Sequence, residues 1–255
     1  MSNLDRASNP NLTPTEFKEL LELQDLDVYE ALDLNEIAAK RYLAWLDNQP
    51  EVDYFPHENL SADEITRLAE LGDHRAQFNK ALEAHASGDI AGCNEWFRRS
   101  GENGNIVSAF NYALTLSDLE EQLVWLKKAA FKGMPEAQRE AGRICYELGD
   151  SISALIWFSL AIRRDFVMAL NDIGVVHWAR GERTEAVNYW NRAIAFGDEK
   201  AQENIDMAIE NGLFDDEVFD VEYSQVNTST SPQRSSQTYA SNEVATSGKS
   251  GLEIL

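Results

Sequence analysis

The chain copies itself. The aromatic residues that open Trp96-Phe97, Trp125-Leu126, Trp157-Phe158 and Tyr189-Trp190 lie 29, 32 and 32 positions apart. Eight positions before each stands a turn residue, Gly88, Ser117, Gly149 or Gly181, and an acid follows it: Asp89, Asp118, Asp150 or Glu182. Eight positions after each comes Gly104, Gly133, Asp165 or Gly197, and an alanine then opens the next segment: Ala109, Ala137, Ala169 or Ala201. Gly72 with Ala76 is an earlier copy of that opening. A period near thirty residues commits a chain to units that hide their apolar side only against the next unit.

Each copy reads as two helices. Apolar residues recur at three- and four-residue spacing, as in Ala154, Trp157, Phe158 and Ala161, and no alternating strand pattern is visible. The spaced glycines mark turns that need left-handed backbone. Gly142 and Gly174 fall instead inside helices, 32 positions apart. Glycine there normally costs about 1 kcal/mol, so close helix–helix approach is the expected compensation. Pro135, the sole proline between residues 57 and 231, falls in a first helical turn, where proline is tolerated.

The segment Ala137-Gln138…Ala141-Gly142…Gly149-Asp150…Ala154…Trp157-Phe158…Ala161…Asp165 resembles a tetratricopeptide-class repeat. The run Trp125-Leu126-Lys127-Lys128-Ala129-Ala130-Phe131-Lys132-Gly133 is similar to the Sel-one-like subclass in particular. The resemblance spans roughly residues 69–212 and implies an all-α, right-handed α-solenoid of about four helix–turn–helix repeats. The unit departs from the 34 residues of tetratricopeptide repeats, and the second copy is short: Ala109 to Ser117 is 8 positions, against 12 from Ala137 to Gly149. Lys80 stands where Ala141, Ile173 and Ile205 stand elsewhere, so the first two copies are expected to pack irregularly.

Four regions follow. Residues 1–12 are expected to be disordered. Residues 13–65 form an acidic helical region, a candidate cap for the array, with helices over about 14–24 and 35–48. Residues 66–212 are the repeat domain, closed by a helix over 201–211. Residues 213–255 are a tail, acidic and then Ser/Thr-rich, that cannot bury a core. The capping box Ser61-Ala62-Asp63-Glu64 starts a helix over 62–71, and Phe55-Pro56 marks a break before it.

Charge narrows the function. The formal net charge is −22, which repels phosphate backbones and anionic lipid, so neither nucleic acid nor membrane is an expected partner. Residues 1–65 hold 15 acidic and 4 basic side chains, whereas residues 66–214 are nearly balanced at 22 and 16. Cys93 and Cys145 stand alone in apolar helical stretches, as reduced buried thiols do. The first residues lack the basic and apolar regions of a secretory signal, and a cytoplasmic protein is the expectation.

No catalytic, cofactor or metal motif stands out. His57, His74, His85 and His177 lack ligand spacing, and His177 occupies the packing position of Cys145. No phosphate-cradling glycine loop or nucleophile elbow is present. The aromatics at 96, 125, 157 and 189 are expected to fill the space between helices.

In tetratricopeptide-type solenoids the first helix of each repeat lines a concave groove, as the resemblance implies. Arg139, Arg143 and Tyr146 share one face of that helix, Asn171, Val175 and Trp178 lie 32 positions on, and Phe78, Leu82 and His85 are the first-repeat equivalents. These nine are the candidate partner-binding residues, with Trp178 read as an exposed aromatic beside arginines. The arginines suit an acidic peptide, and residues 215–223 of the tail are one within the chain. The expected function is a non-enzymatic protein–protein interaction scaffold that binds a peptide or protein segment. The alternative is an acidic inhibitor or immunity-type protein on a basic partner. The partner's identity and the oligomeric state are not legible.

Overall fold

The computed structural model describes residues 52–210. The expected disordered start, the helices over 14–24 and 35–48, the closing glycine at 212 and the tail all lie outside the described residues. Among the described residues there are ten helices and no strand. They fall in two compact units, residues 1–166 and 167–255.

In the first unit the helices are α1 (Ala62–Glu70), α2 (His74–Ala86), α3 (Ile90–Glu102), α4 (Ile106–Thr115), α5 (Leu119–Ala130), α6 (Pro135–Glu147) and α7 (Ser151–Ile162). Each packs against the one before it, so α2/α3, α4/α5 and α6/α7 are successive hairpins. In the second unit α8 (Ala169–Ala179) and α9 (Arg183–Ala195) form another hairpin, and α10 (Glu199–Glu210) packs on α9 and touches α8.

The turns sit where the repeat put them. Gly88, Gly104, Gly133, Gly149, Gly181 and Gly197 all have φ between 79° and 97°, and Asp165 takes the same role at φ 62°. Ser117 does not. Helix α4 has 10 residues against 13 in α2 and α6, and its chain leaves through an extended Leu116 (φ −82°, ψ 143°). That is the shortening of the second copy.

Acids after the turns start the second helices. Asp89, Asp118 and Asp150 accept from the backbone N–H of Gly92, Glu121 and Ser153. Glu182, one methylene longer, makes no such bond and turns to His177 and Arg180 instead. The Ser61/Glu64 capping box forms as the sequence predicts.

Packing corrects the aromatic register by one residue. Trp125 and Trp157 are buried, but Trp96 and Tyr189 are only half-buried. The position buried in every copy is the next one: Phe97, Leu126, Phe158 and Trp190. One residue turns a side chain about 100° around a helix, which carries it from the flank to the centre of the hairpin. Gly142 and Gly174 explain themselves here. A Cβ on Gly142 would lie 2.6 Å from Phe158 Cε1, and one on Gly174 would lie 2.4 Å from Trp190 Cδ1. The rings rest on bare backbone.

Buried amides tie α2 and α6 to the helices before them. Gln77 Nε2 donates to the carbonyl of Ala69 at 3.0 Å, and Gln138 Nε2, 61 positions on, donates to that of Ala130 at 3.1 Å. Each adds a second bond to a carbonyl in the last turn of the preceding helix, which already accepts from the Gly72 or Gly133 N–H.

Candidate functional site

The first helix of each hairpin was expected to present a binding face. In the first unit Phe78 is buried, its ring 5.9 Å from Phe97, while Leu82 and His85 are half-buried. Arg139 and Arg143 are each only 7% exposed. Arg143 Nη1 donates to Glu140 Oε2 at 2.8 Å, with Glu147 Oε1 3.8 Å from Nη2. Tyr146 is half-buried, and burial pushes its phenol above the usual range.

In the second unit the expectation of an exposed Trp178 is overturned. It is 6% exposed, packed 5.4 Å from Trp190 with the Arg183 guanidinium 3.7 Å over its ring. Val175 is buried, and Asn171 accepts from Asn204 Nδ2 at 2.9 Å. These are packing positions, because α9 and α10 together cover a wider arc of α8 than the spacing alone implied.

Surface chemistry lies one step around the helix. Arg75 and Asn79, an i, i+4 pair on α2, hold a non-helical stretch of the chain that precedes α1. Arg75 Nε donates to the carbonyl of Phe55 at 2.7 Å, and its Nη2 pairs with Asp53 Oδ2 at 2.8 Å. Asn79 makes a two-way bond with residue 57: its Oδ1 accepts from the His57 backbone N–H at 2.8 Å, and its Nδ2 donates to the His57 carbonyl at 2.9 Å. Asn105, the N-cap of α4, donates from Nδ2 to the carbonyl of Tyr54 at 2.8 Å. The His57 ring reaches Asp73 Oδ1 at 3.0 Å.

Electrostatics at this face follow from the same contacts. Burial raises Asp73, but the bond from the Ala76 N–H and the nearby His57 and His74 outweigh it, leaving the carboxyl below its ordinary value. Burial pushes His74 down. The position 61 residues after Arg75 is Glu136, whose buried carboxyl is raised by desolvation. The two hairpins thus present opposite charge at matching positions.

Sequence reasoning missed Arg75, Asn79 and Asn105. Phe55-Pro56 signalled a non-helical stretch, since proline cannot continue a helix. Nothing local says which helix such a stretch lies on. Among the described residues no group of His, Cys, Asp and Glu side chains could hold a metal ion, and no helix is long and apolar enough to cross a membrane.

No family model and no curated protein matches the sequence. Solved structures are similar at low identity. A protective antigen of uropathogenic Escherichia coli strains, displaying an SLR fold, gives a TM-score of 0.48 at 22% identity over 60% of this chain and 37% of that one. The chain therefore spans little more than a third of that antigen. A Sel1 repeat protein from Oxalobacter formigenes gives 0.48 at 20% identity over 82% of this chain and 69% of that one. MamA gives 0.44 at 14% identity over 69% and 98%. The helical repeat fold itself rests on the chain's own turns and glycine–aromatic packing.

Proposed function

We propose that the chain is a non-enzymatic interaction scaffold that binds a peptide or protein segment along the first-helix faces of its hairpins. One observation carries the reading: Arg75 and Asn79 on α2, with Asn105 at the start of α4, hold a non-helical stretch of polypeptide through side chain to backbone bonds at Phe55, His57 and Tyr54. Such bonds serve any non-helical segment, and half-buried side chains beside them, Leu82 and His85, supply local preference. The reading places the chain in a reducing cytoplasm, where the buried thiols of Cys93 and Cys145 need no partner. The charge that motivates the acidic-inhibitor alternative divides almost evenly, −12 outside the described span and −10 within it.

The test is affinity capture from lysate of the source cells, analysed by mass spectrometry. The bait is either the full chain or its Leu82→Ala/His85→Ala/Tyr146→Ala variant. A protein enriched by the first and lost by the second is expected. Equal enrichment by both would remove the first-helix face from the account.

A further inference from the structure

The stretch on α2 has the bonding of a ligand rather than of a core element. Val52, Asp53 and Phe55 are exposed, the last at 40%, although Phe55 is the largest apolar side chain there. The backbone of the stretch is held by polar bonds, and the half-buried Tyr54 ring lies 6.2 Å from that of His74. The carbonyls of Tyr54, Phe55 and His57 and the N–H of His57 are all satisfied by α2 or α4 side chains, none by a strand or a helix. Two side chains of the stretch meet charged groups: Asp53 meets Arg75 and the His57 ring meets Asp73. A recess of about 450 Å³ opens beside it, lined by Asp53, Phe55, Pro56, His57 and Arg75 among others.

Held this way, the stretch is poised to leave. Net gains from hydrogen bonds to a solvated backbone are modest, because water replaces them on release. Exposed ion pairs add little. Segments with few buried apolar contacts open locally, well below the cost of global unfolding.

We infer that Arg75, Asn79 and Asn105 form a clamp for non-helical peptide backbone, occupied here in cis by Asp53–His57, which competes with a partner segment of the same chemistry. That segment carries a carboxylate at its first position and a proline at its fourth, and offers a polar ring at its fifth. The inference rests on the scaffold reading and deepens it: it names one site and the occupant a partner must displace. The covalent link to α1 gives the internal copy an effective concentration on the order of millimolar, so a partner binds only by exceeding it.

The probe is a fluorescein-labelled peptide of residues 52–60, followed by fluorescence polarisation against the full chain. Wild type should bind it weakly. Asp53→Lys/His57→Pro leaves the clamp intact but repels Arg75 and removes the N–H that Asn79 accepts. This variant should bind the probe roughly tenfold or more tightly, because the occupied state no longer taxes binding. Adding Asn79→Ala to it should return binding to the wild-type level. No gain in a variant with wild-type circular dichroism overturns the clamp, and so does a gain that Asn79→Ala leaves untouched.

Should the variant not fold, hydrogen exchange on wild type decides. The His57 amide should exchange far faster than those of α6 and α7, and faster still with millimolar unlabelled probe. An amide that exchanges only by global unfolding marks a fixed structural element and overturns the clamp. Failure here with partner capture still lost in the Leu82/His85/Tyr146 variant leaves the scaffold reading standing. Failure of capture alone sinks that reading and spares the clamp.

Discussion

Single atoms decide the core. Gly174 lies under Trp190, and its added Cβ would stand 2.4 Å from both Cδ1 and Nε1 of a fully buried ring. Alanine gains about 1 kcal/mol of helix propensity over glycine, but overpacking a tight core costs about 1–3 kcal/mol, and a buried indole has nowhere to go. Gly174→Ala should lower the urea midpoint. Gly181→Ala meets no atom within 4 Å and pays only for φ 80°, about 1–2 kcal/mol. The two variants separate collision from strain: a Gly174→Ala chain as stable as wild type would mean the ring is not seated on the backbone. Cys145 makes a second residue-scale case. Burial pushes its thiol up to about 12, so almost no thiolate exists at pH 8 and access is closed as well. Native protein should leave Cys145 unalkylated by iodoacetamide at pH 8 and unfolded protein should label it, read by mass spectrometry. The glycines were legible from spacing, since 32 residues separate Gly142 from Gly174, but the rings seated on them, Phe158 and Trp190, lie one residue after the expected 157 and 189. Trp178 was not legible. Spacing assigns a face only to within the width of a side chain, and Arg183 and Trp190 close over the part it left open.

Elements begin and end on chemistry that sequence states openly. Asp89, Asp118 and Asp150 each follow a turn and each cap a helix, so position and role were both readable. Removing the Asp150 cap with alanine should cost about 1 kcal/mol, seen as a lower thermal midpoint. The first turn of α6 is less obvious. A carboxylate near a helix N-terminus is normally favoured, yet desolvation pushes Glu136 above its ordinary value, its Oε2 is buried without a hydrogen-bond partner, and only its own backbone N–H opposes the rise. A raised folded pKa means the stability it confers is full below the unfolded value near 4.5 and is lost as pH rises through the folded one. At pH 7 the wild type therefore carries the cost of a buried charge. Glu136→Gln should raise the urea midpoint at pH 7 and change it little at pH 4; a larger effect at pH 4 would reverse the assignment. Nothing in the sequence foretold this shift, because an acid in a first helical turn reads as a solvated one. The same limit hid the clamp. Asn79 and His57 are 22 positions apart and Asn105 and Tyr54 are 51 apart, and side chain to backbone bonds leave no periodic trace.

At the scale of the molecule, two forces compete to define what the chain meets. One is a net charge of −22, which raises encounter rates with any basic protein. The other is the set of first-helix faces in a region where 22 acids are nearly offset by 16 basic residues. Salt separates them. Charge-steered binding between exposed surfaces weakens as the Debye length shrinks from about 10 Å at 0.1 M toward about 3 Å at 1 M. Backbone hydrogen bonds and apolar contacts at a helical face are nearly indifferent to that change. The captured partner's affinity, measured by calorimetry between 50 mM and 500 mM sodium chloride, should therefore vary by less than about threefold if the hairpin faces hold it. A fall of tenfold or more, as charged interfaces show, would hand the function to the acidic surface. The helical repeat fold would then serve to display charge rather than to grip a peptide, although every turn, cap and glycine contact would remain as described.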